Sequence, residues 1–246
     1  MPIDRALSLR RLEYASAVIG CSLVIAALVI IWLARTTVSR ELYVSELGAQ
    51  GEPTATWFQI SLVLIVIGGS LIAFAGRHVR SSVAILSAWT PAISLWIACG
   101  FFLVASQVTC TPGCPLPYGS TFTWQDFVHT LSAVLAFAAA CLAMLQTALA
   151  REYRVLARLS LATAVLVAVV ASAGGLLSLL RFQADLGSRL EFLATTVALA
   201  WLVVFGGVLG LHAARSIGAA KPRAEADPTV HPVEPLAIHE LEEPVR

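Results

Sequence analysis

In the stretch "TWQDFVHT", Asp126 and His129 stand three apart at the head of an apolar run, the spacing that sends two side chains from one helix face. Such a pair can bind a divalent metal with a further carboxylate, Glu46 or Glu191. It can also exchange protons as acid and base, while Arg181 or Arg189 nearby suits a phosphate or carboxylate headgroup. A structural account competes with all three. Asp126 is placed to cap the helix and complement its dipole, and His129 to hydrogen-bond a neighbouring helix. Other polar residues fall at the same expected depth: Ser45 and Glu46, Gln59, Gln107, Asp185, Arg189 and Glu191. Ser45, Glu46, Asp126, His129, Arg189 and Glu191 form the candidate ligand-binding set.

Just upstream, Cys110 and Cys114 flank "TPG". A structural zinc site needs four ligands, and no second cysteine pair is present, so a disulfide is the expected state. Cys21, Cys99 and Cys141 lie in apolar runs and are expected to pack as small apolar residues. His78 and His212 share only an approximate depth, which is too little to specify haem ligation. No cofactor is expected.

The elements that must position these groups are membrane helices. Of 246 residues, 58% are hydrophobic and 13% charged, against about a quarter charged in soluble domains. Uncharged runs cover 14–34, 53–76, 81–125, 127–150, 159–180 and 192–214. Because about 20 apolar residues cross a bilayer as a helix, the fold class is all-α, a bundle of six transmembrane helices near 14–35, 57–76, 83–106, 126–149, 159–180 and 191–213. Pro91 is expected to kink the third. Glycine pairs and alanines at four-residue spacing, such as Ala164 and Ala168, mark close-packing faces.

Arg5, Arg10 and Arg11 precede a run too long for a signal-peptide core, which predicts a first membrane helix rather than a cleaved leader. The N-terminal segment 1–13, loops two and four, and the start of the tail hold eleven Arg and Lys, whereas loops one, three and five hold four. Both termini are therefore expected in the cytoplasm of a bacterial plasma membrane. Residues 214–246, rich in proline and acid, read as a disordered cytoplasmic tail. A net charge of +1 gives no pull toward nucleic acid. No P-loop, dinucleotide fingerprint or HExxH motif occurs.

Three stretches, "SELGAQGEPTATWFQISLVLIVIGG" at 45–69, "CTPGCPLPYGSTFTWQDFVH" at 110–129 and "GSRLEFLATTVALAWLVV" at 187–204, resemble the domain-of-unknown-function 998 family of bacterial integral membrane proteins. Ser45, Glu46, Leu47, Gly48, His129 and Arg189 sit at the matching positions, and the resemblance runs over residues 14–213. It implies six helices and an outer-face polar cluster, and no activity. Three functions fit: a bundle binding or transporting a small amphiphile or lipid headgroup, a structural partner subunit of a membrane complex, or an intramembrane metal-dependent hydrolase using His129, Asp126 and Glu46. Membrane lipids are the expected partners of the first, a membrane protein of the second. An enzyme is the less favoured reading, since catalytic zinc takes three protein ligands and one histidine is well placed.

Overall fold

A computed structural model describes residues 2–83, 88–115, 119–150, 152–180 and 182–225. Among them are six α-helices and no strand: α1 (Pro2–Thr36), α2 (Ala55–Ala75), α3 (Pro91–Gln107), α4 (Trp124–Ala148), α5 (Arg154–Leu179) and α6 (Ala184–Glu225), with a 3₁₀ turn at Ser45–Gly48. Five are long and apolar enough to cross a membrane; α3 is shorter. At 1.5 Å per residue it spans about 25 Å, less than the ~30 Å hydrocarbon core.

Each helix packs on the next in sequence and α6 closes on α1, while α2 also touches α6. The six therefore form a ring whose alternating directions collect loops one, three and five at one end. Large apolar side chains such as Leu33, Val134, Val169 and Leu211 cover the outside, as expected of surface facing hydrocarbon. Small residues close the α1–α2 contact: a Cβ on Gly20 would lie 2.7 Å from the Gly68 carbonyl oxygen, and one on Gly68 2.8 Å from that of Gly20. Gly69 backs onto Cys99, and Gly206 onto Cys21, so these thiols fill gaps between helices. Of the two alanines expected on a packing face of α5, Ala164 is buried but Ala168 is exposed; the buried stripe runs Ser160, Thr163, Ala164, Val167, Val170, Gly174.

Two helix limits differ from expectation. Pro91 does not kink a helix beginning near residue 83; it is the first residue of α3, preceded by extended Thr90. Proline fits there because its missing N–H would be unpaired at a helix start anyway, and its ring disfavours helical geometry in the residue before it. The backbone freed ahead of α3 is held by Gln146, whose side-chain amide donates to the Trp89 carbonyl at 2.6 Å and accepts from Ser94 at 2.8 Å. At the other limit, α6 continues to Glu225 rather than ending near 213. The rest of the expected disordered tail, 226–246, lies outside the described residues.

Candidate functional site

Loop one reaches over the end of the ring and is fastened by the Ser-Glu-Leu-Gly element. Glu46 accepts the Tyr43 N–H at 2.7 Å, Leu47 is fully buried, and its carbonyl accepts from Thr54 at 2.8 Å. Gly48 is required by Phe58, whose ring would lie 2.5 Å from an added Cβ. Burial pushes the Glu46 carboxyl above its ordinary range, opposed by the Tyr43 N–H and Arg40. Gly187 is the matching seat on α6: an added Cβ would lie 2.6 Å from the Tyr43 hydroxyl. One turn on, Glu191 accepts the Val44 N–H at 3.0 Å and interacts with the N–H and hydroxyl of Ser45.

Loop three is fastened to α4 and to the end of α3. Cys110 and Cys114 form a disulfide with Cα atoms 4.9 Å apart. Asp126, wholly buried, accepts from the Thr111 N–H and hydroxyl, both at 2.8 Å, and from the Thr123 hydroxyl at 2.5 Å. Thr123 in turn caps α4 by accepting the Asp126 N–H. His129, 4% exposed, places Nδ1 2.6 Å from the Val108 carbonyl and 3.1 Å from that of Ala105. Two carbonyl partners require Nδ1 to carry the hydrogen, which leaves Nε2 an acceptor in the neutral ring. The last carbonyls of α3 are thus capped by a side chain from α4. Loops one and three meet where the Gln50 N–H donates to the Cys110 carbonyl at 2.9 Å.

Beneath these loops lies a cavity of about 80 Å³. Its α4 wall is His129, Ala133, Phe137, Ala140 and Met144, a single helical face that descends about 22 Å from the histidine to the methionine. Phe58, Leu62 and Ile65 of α2, Leu95, Cys99 and Phe102 of α3, and Leu199, Trp201 and Leu202 of α6 form most of the remaining apolar part, with Ile31 of α1. Trp201 stacks on Phe205 with centroids 5.2 Å apart and donates to Ser160 at 2.8 Å. Ser45, His129, Glu191 and Thr195 supply the polar groups, all near the loop end of their elements. Thr195 Oγ1 is buried with no hydrogen-bond partner among the described residues.

Of the six candidate ligand-binding residues, the structure brings Ser45, His129 and Glu191 to this cavity. Asp126 is turned instead to Thr111 and Thr123, and Glu46 to its own turn. Arg189, with 71% of its side chain exposed, faces Glu41 at 3.6 Å on the rim. Gln59 and Gln107 bond to Ser106, and Asp185 is exposed. Arg181 lies outside the described residues. For metal, Cys110, Cys114 and His129 place one ligand atom each within 4.8 Å of one another, but sulfurs joined to each other offer no thiolate. Three residues were not singled out from sequence: Thr195, Gln146 and Glu13. Buried Glu13 pairs with Arg77 at 2.8 Å and with Arg10 and His78 at 3.0 Å, so Arg77 links α1 to α2 besides biasing orientation. The available signal for Gln146 and Glu13 was a hydrophilic side chain within or bordering an apolar run; for Thr195 there was little, because isolated hydroxyls are common in membrane helices.

A ring of apolar helices with lipid-facing side chains, closed at one end by tied loops, defines a multi-pass membrane protein. Residues 14–208 match the model of a family described as "Protein of unknown function (DUF998)", and the chain belongs to that family. No curated protein and no solved structure matches it.

Proposed function

We propose that this protein binds a small amphiphile in the cavity enclosed by the ring, apolar chain downward along α4 and polar head beneath loops one and three. The observation that carries the reading is the cavity itself: a long apolar slot whose few polar groups gather at one end, the pattern of a site that buries a chain and orients a head. Ser45, His129 and Glu191 contact the head in this reading. Glu46 and Asp126 position the loops, and Arg189 stands at the entrance. The Arg and Lys asymmetry supports an orientation with both termini cytoplasmic and the polar end outward.

The test is lipid analysis of the full chain purified in mild detergent, beside Ala140→Trp, which fills the slot without touching its polar end. The expected result is one amphiphile class enriched over bulk membrane lipid and reduced about fivefold or more by the tryptophan. Bulk lipid composition in both preparations would overturn the proposal.

A further inference from the structure

We infer that the cavity takes a long-chain primary amine, an amphiphile with one chain and a cationic head, with Glu191 as its counter-charge. The inference rests on the amphiphile reading and specifies its head. Glu191 has no basic partner among the described residues: Arg189, two positions earlier, points to Glu41 on the rim, and no Lys or Arg lines the cavity. Backbone and hydroxyl donors from Val44 and Ser45 hold the carboxylate, and Glu191 is half-buried, so a carboxylate partly withdrawn from water is stabilised by an opposite charge beside it.

The neighbouring polar atoms are of the same kind. His129 spends its Nδ1 hydrogen on the end of α3 and presents Nε2 as an acceptor. Thr195 is 9% exposed as a residue, and its buried Oγ1 has no partner among the described residues. An ammonium supplies three donors and no acceptor, matching a carboxylate, an imidazole nitrogen and an unused hydroxyl oxygen. A phosphate or carboxylate head would instead set like charge against Glu191, and an alcohol would leave it without a counter-charge. The volume of about 80 Å³ is roughly six water-sized units at ~10–15 Å³ each, which limits the occupant to a single chain and admits all but its first carbons only where the lining side chains give way.

The experiment measures binding of dodecylamine, dodecanol, dodecanoic acid and dodecyl phosphate to the full chain in an uncharged detergent at neutral pH, for wild type, Glu191→Gln, Thr195→Val and Ala140→Trp. Dodecylamine is expected to bind about tenfold tighter than either anionic probe, and Glu191→Gln to remove that preference. Thr195→Val is expected to weaken the amine about fivefold; it leaves the loop-one contact of Glu191 in place and so carries the test if Glu191→Gln disturbs the fold. Equal or tighter binding of an anionic probe, or an amine preference that survives both substitutions, overturns the inference. If all four bind alike and Ala140→Trp blocks them all, the amphiphile site stands and its amine selectivity falls. If none binds, both fall.

Discussion

Asp126 and His129 share a helix face, and the fold separates their tasks. Asp126 lies against Thr111 and Thr123 of the disulfide loop; His129 faces the last turn of α3 and, beyond it, the cavity. Removing the carboxylate orphans a buried N–H and two hydroxyls, so Asp126→Ala should lower stability by about 2–3 kcal/mol, read as a drop in apparent Tm in detergent. Restoring Tm with Asp126→Asn only in part would follow, since an amide accepts through one oxygen. Glu46 gives a pH effect whose sign is fixed by its environment. Burial raises its carboxyl above the reference of 4.5, so the folded chain binds more proton than the unfolded chain just above that value. Stability from this group should therefore rise as pH falls through the folded value toward 4.5 and be lost as pH rises again. Glu46→Gln should flatten that part of the stability profile, and an unchanged slope would count against the assignment.

Helices show where local chemistry and packing divide the decision. Pro91 reads as a kink from its place in a long apolar run, yet the backbone uses it to begin α3, because a proline N1 loses no hydrogen bond. Pro91→Ala should accordingly cost less than about 1 kcal/mol. A proline within the helix would behave differently: its replacement would straighten α3 and shift the cysteine at its middle. The α1–α2 crossing is the more sensitive place. Gly68 has the Gly20 carbonyl within 2.8 Å of where a Cβ would stand, so Gly68→Val should cost roughly 1–3 kcal/mol by forcing the helices apart. Gly207, with open space around it, should tolerate alanine, although both glycines belong to pairs that look alike in sequence.

For the whole molecule, the ring places loops one, three and five at one end and the Glu13 ion cluster at the other. A membrane-impermeant maleimide applied to intact cells should label Cys110 and Cys114 only after reduction if the loop end faces outward. Labelling without reductant would contradict the disulfide in its native setting, and no labelling with reductant would contradict the outward orientation. The same ring explains why the cavity exists: six helices packed in sequence order enclose more space than their inward side chains fill, although α2 also reaches across to α6.

Apolar run lengths, the Cys110–Cys114 pair and the family stretches made the helix count, the membrane class and the disulfide readable from the chain alone, because each depends on residues close in sequence. Six helices follow from the ~20-residue thickness of a bilayer, wherever the helices later sit. The composition of the site was only half readable. Ser45, His129 and Glu191 stand out as polar residues at the expected depth, but so do Glu46, Asp126 and Arg189, and nothing local tells a carboxylate facing a cavity from one pinned to a loop. That choice rests on contacts between residues distant in the chain: Val44 with Glu191, Thr111 with Asp126, and Val108 with His129. Only the ring closure that brings α6 back to α1 and loop one over α6 decided which polar atoms would be used up in holding the fold and which, like Thr195 Oγ1, would be left without a partner among the described residues.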